Sequence, residues 1–348
     1  MSPVAAPAKV LVTGANGYVA VWVVRRLLED GYSVRGTVRS AEKGTHLREL
    51  FKSYGDKLEL VVVPDITKEG AFDEAVKGAD IVEHTASPFQ LEVDTADDLI
   101  APAVKGTLSI LESINKNAPS VKRVVVTGSV SAVFNAFVKS PSRLYDETDW
   151  NDSVIKAVEK DPKDTPPIFW YLASKTLGEK AAWEFMEKNK SAINFDLVVV
   201  LPTYVFGPAL HEVKAPMQLN QSLREVYQYV LKTKDTLPAP EGVYACVDVR
   251  DCADIHVLSA KTPEAGSNRI IASGHGFYWR DISDIAASSK ILDTDTIVGT
   301  TPGPVTNKLK ASGLVKTDKA EKLLGFKWTS LEDTVKDTLA SFKEKNFV

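Results

Sequence analysis

Cysteine and histidine are scarce in this sequence, and neither occurs in a pattern that would hold a metal ion or a disulfide framework. Cys246 and Cys252 are the two cysteines among 348 residues, and we expect both to be reduced core residues. The five histidines are scattered, with no HExxH or similar ligand spacing. The sequence therefore predicts a protein without a metal cofactor.

Long apolar runs and an excess of one charge are also missing. No stretch approaches the roughly 20 apolar residues of a membrane-spanning helix. The start, MSPVAAPAKV, lacks the charged and apolar regions of a secretory signal. The 42 basic and 46 acidic side chains leave a net charge of −4, which gives no reason to expect binding to nucleic acid or to an anionic membrane. We predict a cytoplasmic protein that acts on a small molecule, and the sequence leaves its oligomeric state open.

The sequence does contain a regular alternation of short β-branched runs and helical patterns over its first 130 residues. Strand, helix, strand in steady order is typical of a parallel sheet covered on both faces. The predicted fold class is α/β, a Rossmann-type doubly wound parallel sheet with a smaller, irregular substrate-binding lobe. The predicted strands are KVLVT (9–13), SVRGTV (33–38), LELVVV (58–63), DIVEH (80–84), KRVVVT (122–127) and FDLVVV (195–200).

The chain is predicted to divide into two parts of unequal size. Residues 1–206 form the nucleotide-binding domain, to which a segment near 245–262 returns. Residues 207–348 form most of the smaller lobe, which lies over the carboxyl edge of the sheet. Residues 135–168 are rich in Pro, Asp and Lys and are expected to form a long loop. Helices are expected near 216–233, 281–290 and 331–344.

The first strand leads directly into the glycine-containing stretch TGANGYVA (13–20), which opens the first predicted helix. Gly14 and Gly17 permit a tight turn and the close approach of a pyrophosphate, and Ala20 lets the helix pack against the strand. The pyrophosphate would lie at the helix N-terminus, where free N–H groups favour an anion. We predict a dinucleotide site here, with a purely structural turn as the alternative.

The end of the second strand indicates which dinucleotide is bound. NAD-binding proteins often carry an acidic residue about 20 positions past the glycines, and this sequence reads VRGTVRS (34–40) there. Arg39 and Lys43 could hold a 2′-phosphate, which a guanidinium binds well. The alternative is a solvated loop with two ordinary charges. The cofactor predicted is NADP(H).

Motifs along almost the whole chain resemble those of one family, the extended short-chain dehydrogenase/reductases. The resemblance is strongest to the branch with plant dihydroflavonol 4-reductases and cinnamoyl-CoA reductases, and within it to fungal NADPH-dependent aldehyde, methylglyoxal and carbonyl reductases. The matching segments are TGANGYVA (13–20), DIVEHTASPF (80–89), RVVVTGSVSAVF (123–134), YLASKTLGEKAAWEF (171–185), LPTYVFGP (201–208), VDVRDCADIH (247–256) and KAEKLLGF (319–326).

This resemblance implies an NADPH-dependent reductase of aldehydes and ketones. Reduction of a dihydroflavonol or a cinnamoyl thioester is the alternative within the same branch. A non-catalytic NADP-binding sensor is an alternative of another class, and epimerase or dehydratase chemistry would use the same catalytic residues. The sequence does not distinguish the physiological substrate or the stereochemistry of the alcohol.

The family's catalytic serine, tyrosine and lysine match Ser129, Tyr171 and Lys175. Tyr171 and Lys175 stand one helical turn apart, so we expect the ammonium to lower the pKa of the phenol. Ser129 could donate to the substrate oxygen as negative charge develops there. Two departures from the family pattern are Gly128, where a Ser or Thr is common, and Lys105, where an Asn is common.

Further positions follow from the same resemblance. Asp65 could also be a turn aspartate, and every pocket candidate could equally be core. The implied cofactor residues are Thr13, Gly14, Asn16, Gly17, Tyr18, Val19, Arg39, Lys43, Asp65, Ile66, Thr85, Ala86, Thr127, Tyr171, Lys175, Pro202 and Val205. The candidate substrate-pocket residues are Phe89, Phe134, Trp170, Tyr204 and Tyr244.

Overall fold

The β-branched runs of the sequence form a seven-stranded sheet in the computed structural model, which describes residues 4–87, 93–135, 137, 143–299 and 315–348. A second, three-stranded sheet lies in the later part of the chain. The strands are β1 (Lys9–Thr13), β2 (Ser33–Val38), β3 (Leu58–Val62), β4 (Ile81–His84), β5 (Arg123–Thr127), β6 (Asp196–Pro202), β7 (Tyr204–Phe206), β8 (Tyr244–Asp248), β9 (Asn268–Ala272) and β10 (His275–Phe277). The helices are α1 (Tyr18–Glu29), α2 (Thr45–Leu50), α3 (Asp97–Asn117), α4 (Asp152–Lys160), α5 (Pro167–Lys188), α6 (Gln221–Val230), α7 (Val249–Lys261), α8 (Trp279–Ser289), α9 (Asp318–Leu324) and α10 (Leu331–Glu344).

The large sheet has the strand order β3-β2-β1-β4-β5-β6-β9, and every pairing in it is parallel. The order reverses between β1 and β4, so a crevice opens there at the carboxyl ends of the strands, where open α/β sheets bind their ligands. The predicted Rossmann-type parallel sheet is confirmed. Its seventh strand, β9, comes from the part of the chain that we expected to lie mostly in the smaller lobe.

Alternate residues of each strand enter two different cores, because successive side chains of a strand point to opposite faces. In β1, Val10 and Val12 belong to the core on one face and Leu11 to the core on the other. Helices α1 and α7 pack together over one face, and α3 packs on α5 over the other. No helix in these ranges has both the length and the apolarity needed to cross a membrane.

The smaller sheet, in the order β10-β8-β7, supports the region over the crevice. Aromatic side chains of this sheet and of the start of α8 pack edge to face, with ring centroids 5.9 Å apart for Tyr204 and Tyr244 and 5.3 Å apart for Phe277 and Trp279. Leu223 of α6 belongs to the same continuous core as Val10 of the large sheet. The lobe is therefore joined to the nucleotide-binding part through one hydrophobic core.

Two expectations about local structure differ from the observed fold. The loop expected over 135–168 contains the helix α4, on which Val154 and Val158 are buried against α5. The helix expected near 216–233 is shorter, because α6 begins only at Gln221 and ends at Val230. Both differences arise where apolar residues are few and the pattern of burial depends on a distant partner.

Candidate active site

Two cavities meet at the carboxyl edge of the large sheet, and Tyr171 lines both of them. The first, of about 680 Å³, extends from the start of α1 past Lys175 to the start of α6. The second, of about 420 Å³, lies beside Ser129 and under the smaller sheet. Gln221 and Ser222 also line both cavities. The arrangement provides one site for an extended ligand and an adjoining site for a smaller one.

The glycine-containing turn between β1 and α1 forms one wall of the first cavity. Gly14 has a φ of +62°, and a Cβ added there would lie 3.1 Å from Ala86, so the position requires glycine for two reasons. The N–H of Gly17 donates to the carbonyl of Gly14 at 2.9 Å, and α1 then begins without a side-chain cap. The start of α1 therefore has free backbone N–H groups, and its residues Gly17, Tyr18 and Val19 line the cavity. Such a helix start is suited to binding a pyrophosphate.

Thr13 and its neighbours hold this turn to the loop after β4. The Thr13 hydroxyl lies 2.9 Å from Nδ1 of His84 and accepts the backbone N–H of Ala86 at 3.1 Å. Thr85 donates its hydroxyl to the carbonyl of Thr13 and lines the first cavity. Burial lowers the pKa of His84 to about 4, with a further contribution from the charge of Lys175. Thr13 thus holds the turn to the loop after β4, whereas Thr85 lines the first cavity.

Other predicted cofactor residues divide between the cavity wall and the surrounding framework. The Tyr18 hydroxyl donates to the carbonyl of Gly207 at 2.9 Å, so this ring lines the cavity while its polar end is held by the protein. Thr127 also lines the first cavity, and its hydroxyl lies 3.1 Å from Nε2 of His256. Asn16 is half-buried in the turn. Val205 lines the first cavity, whereas Pro202 lines the second.

The two basic residues expected to bind a 2′-phosphate, Arg39 and Lys43, follow the carboxyl end of β2. Arg39 and Lys43 are exposed, and neither makes an ion pair with any residue in the described ranges. Asp65 instead accepts the backbone N–H of Thr67 at 2.9 Å and its hydroxyl at 2.7 Å, and these bonds lower the pKa of Asp65. Ile66 lies against α3 in one of the two cores. Asp65 therefore makes the contacts of a turn aspartate.

Ser129, Tyr171 and Lys175 come together where the cavities meet. The Ser129 oxygen accepts the N–H of Ser131 at 3.2 Å and the Ser131 hydroxyl at 2.7 Å, and Ser129 is hydrogen-bonded to the Tyr171 hydroxyl. Lys175 Nζ lies 5.8 Å from the centre of the Tyr171 ring and donates to the Ser87 hydroxyl at 2.9 Å. The three side chains are supplied by the loop that follows β5 and by two successive turns of α5.

The electrostatics of this cluster differ from our expectation in one respect. Burial raises the pKa of Tyr171, and the hydrogen bond from Ser129 opposes that rise only in part. Burial also lowers the pKa of Lys175 to about 8. The pKa of Tyr171 is therefore raised rather than lowered in this structure, because loss of solvent dominates.

Both departures from the family pattern have a structural explanation. A Cβ added to Gly128 would lie 2.8 Å from Cδ2 of Leu201 and 2.9 Å from Cγ1 of Val199, so a larger residue would have to displace these side chains. Lys105 is exposed on α3 and lines neither cavity. The sequence at these two positions thus follows local packing and solvent exposure.

The candidate pocket aromatics do not all lie at the second cavity. Phe134, Tyr204 and Tyr244 line it. Trp170 does not: it is 6% exposed and packs in a separate core cluster with α3 and α4, because its neighbours on α5 face the cavity instead. Phe89 lies outside the described residues.

Sequence reasoning missed three polar residues of the site. Ser87 receives the hydrogen bond of Lys175, Ser131 holds Ser129, and Glu225 places a buried carboxyl in the wall of the second cavity. Ser131 could have been found from its position two residues after Ser129. The sequence contains no pattern that would place Glu225 at the cavity, because the face of α6 that lines it is determined by how the lobe folds.

Comparison with known proteins identifies the family. The sequence profile of the NAD dependent epimerase/dehydratase family matches residues 10–274. An NADPH-dependent methylglyoxal reductase of Saccharomyces cerevisiae is 38% identical in an alignment of length 338, which covers 94% of this chain and 96% of that protein. A cinnamoyl-CoA reductase of Medicago truncatula is 35% identical in an alignment of length 348, which covers 97% of this chain and 96% of that protein. The crystal structure of the yeast methylglyoxal/isovaleraldehyde reductase complexed with NADPH has a TM-score of 0.86 at 36% identity, and the match covers 98% of this chain and 100% of that one.

The chain belongs to the NAD dependent epimerase/dehydratase family, that is, to the extended short-chain dehydrogenase/reductases, and is an oxidoreductase of that family. The relatives named above are reductases, so the resemblance of its motifs to the reductase branch is confirmed. Within the described residues, no group of three His, Cys, Asp or Glu side chains could hold a metal ion.

Proposed function

We propose that this protein reduces aldehydes and ketones to alcohols with NADPH, using Ser129, Tyr171 and Lys175. The observation that carries the proposal is the hydrogen bond between Ser129 and Tyr171 at the junction of the two cavities. A cofactor in the first cavity and a carbonyl compound in the second would both lie against the Tyr171 side chain. The NADPH named for the yeast relatives supports the choice of cofactor.

The first cavity fits a dinucleotide phosphate. The uncapped start of α1, at Gly17, Tyr18 and Val19, would hold the pyrophosphate, and Gly14 shapes the turn before it. Arg39 and Lys43 would hold the 2′-phosphate, since both are exposed and free of ion pairs within the described ranges. When bound there, NADPH supplies the hydride that adds to the carbonyl carbon.

The protein's own part is to place the carbonyl and supply a proton. Ser129 and Tyr171 donate hydrogen bonds to the carbonyl oxygen, and the Tyr171 proton passes to that oxygen as it becomes an alcohol. The raised pKa of Tyr171 keeps the phenol protonated at neutral pH, which suits reduction. Lys175 then stabilises the negative charge left on the tyrosine oxygen. The second cavity excludes water through its apolar walls, including Phe134 and Leu172.

The test is the variant Tyr171→Phe, which removes only the hydroxyl. NADPH should bind with unchanged affinity, while the rate of NADPH oxidation with an aldehyde falls by at least about a hundredfold. Tyr54→Phe is the matched control, because Tyr54 lines neither cavity. Near-normal turnover in Tyr171→Phe would refute the role of this tyrosine as proton donor.

Reduction of a cinnamoyl thioester is a second candidate, favoured by the 35% identity to the Medicago enzyme. The apolar, aromatic second cavity could also take a cinnamoyl group. Comparing kcat/KM for cinnamoyl-CoA and for cinnamaldehyde decides between the two, since a thioester reductase should prefer the former. Binding of NADPH without turnover of either compound would favour the sensor.

A further inference from the structure

The wall of the second cavity contains one buried carboxyl group. Glu225, on α6, is 8% exposed and lines the cavity beside Tyr204 and Tyr244. It lies one helical turn beyond Gln221, which stands where the two cavities meet. The other side chains lining this cavity are mostly apolar, including Phe134 and Leu172. Burying a carboxyl group in such surroundings costs free energy, so its presence indicates a role in folding or in binding.

The hydrogen-bond partners of Glu225 are neutral, and the nearest positive charge, that of Arg224, acts on it without a direct bond. Gln221 donates its amide N–H to Oε1 of Glu225 at 2.6 Å, and the Tyr204 hydroxyl donates to the same carboxyl group. Both donors are neutral. The guanidinium of Arg224 bonds to the amide oxygen of Gln221 rather than to Glu225. Glu225 makes no ion pair within the described part of the chain.

We propose that Glu225 selects the substrate at a point away from its carbonyl group, favouring compounds with a distal O–H or N–H donor and rejecting those with a carboxylate. This inference rests on the proposed reductase function. The substrate carbonyl is directed to Ser129 and Tyr171, so the rest of the molecule extends along the cavity toward Glu225. The chemical class is therefore neutral or cationic hydroxy- and amino-carbonyl compounds.

The physical basis is the low polarity of the cavity. A second carboxylate brought beside Glu225 would share a poorly solvated space with a like charge, and one of the two would have to take up a proton. A hydroxyl or ammonium group would instead donate to the oxygen positions of Glu225 that its two neutral donors leave open. Burial raises the pKa of Glu225, while the bonds from Gln221 and Tyr204 and the positive charge of Arg224 oppose that rise and favour the carboxylate.

The experiment compares four acetophenones with a para methyl, hydroxymethyl, aminomethyl or carboxylate group, in the wild type and in Glu225→Gln. Glutamine keeps the size of the side chain and an oxygen for Tyr204, but it removes the charge. The wild type should reduce the carboxylate compound with a kcat/KM at least about tenfold below that of the methyl compound. Glu225→Gln should raise the relative value for the carboxylate and lower that for the aminomethyl compound, each by about tenfold.

Glu212→Gln is the matched control, since it removes one negative charge from a side chain that lines neither cavity. A wild type that reduces none of these ketones and no aldehyde would refute the proposed function itself. A wild type that reduces the methyl and carboxylate compounds equally well would refute only the inference, even if Glu225→Gln did not fold. An unchanged ranking in folded Glu225→Gln would show that Glu225 serves only to hold Tyr204 and Gln221.

Discussion

The hydroxyl of Ser131 donates a 2.7 Å hydrogen bond to the oxygen of Ser129, which also accepts the backbone N–H of Ser131 at 3.2 Å. A serine hydroxyl has two acceptor positions and one proton to donate. With both acceptor positions of Ser129 occupied, its proton points into the site, to the oxygen of Tyr171 in this structure and to the carbonyl oxygen in the proposed reaction. Ser131 is thus a positioning residue for Ser129.

The variant Ser131→Ala should lower kcat for carbonyl reduction by about three- to tenfold, the value of one hydrogen bond. NADPH affinity and KM should change little, because Ser131 acts on the orientation of Ser129. Ser131→Thr restores the hydroxyl and should recover most of the loss. Steady-state measurements of kcat and KM for the two variants test this positioning role. Equal kcat values for Ser131→Ala and the wild type would contradict it.

The ammonium of Lys175 should set the alkaline limit of the reaction. Burial lowers its pKa to about 8, so the positive charge that supports the tyrosine oxygen is lost as the pH rises through that value. We expect kcat/KM for reduction to be level below about pH 8 and to fall above it. In Lys175→Arg, whose guanidinium stays charged, the remaining activity should not show this fall. Identical pH profiles for the two proteins would exclude Lys175 as the titrating group.

Cofactor choice should depend on Arg39. Its charge-assisted bonds to a 2′-phosphate would contribute about 1.5–3 kcal/mol in a protected site and less in an exposed one. The wild type should therefore prefer NADPH to NADH by at least about tenfold in kcat/KM, and Arg39→Glu should lose most of that preference. Arg280→Glu, an exposed charge reversal outside both cavities, should keep it. Equal use of the two cofactors by the wild type would show that Arg39 and Lys43 are ordinary surface charges.

Phe134 and Trp170 should respond differently to substitution, although both are aromatic residues near α5. Phe134→Ala enlarges the second cavity and should shift the ranking of bulky over small carbonyl compounds while NADPH affinity is kept. Trp170→Phe should reduce the free energy of unfolding by about 1–2 kcal/mol and leave the ranking intact, since Trp170 packs in a separate cluster. Urea unfolding and a carbonyl panel measure the two effects. A changed ranking in Trp170→Phe would place it at the substrate site after all.

Local sequence patterns predicted six of the seven strands of the large sheet, because most of them are short β-branched runs that need no distant information, but β9 went unpredicted. The strands β7, β8 and β10 also went unpredicted, since they are short and lie in the irregular later part of the chain. The candidate catalytic residues Ser129, Tyr171 and Lys175 could be predicted from sequence motifs. Glu225 and the burial of Trp170 away from the second cavity could not, because which way a side chain on a helix faces is decided by the packing of whole elements.

The close approach of Gly128 to Leu201 and Val199 makes these positions dependent on one another during evolution. A relative that carries serine or threonine before its catalytic serine needs the side chains of the neighbouring strand to shift or to be smaller. Introducing that residue here would displace the side chains at 201 and 199, so a smaller residue at either position should make the substitution easier to accept. A library that varies the catalytic loop alone would recover few active members, whereas one that varies the loop and β6 together would explore sequences that single replacements cannot reach.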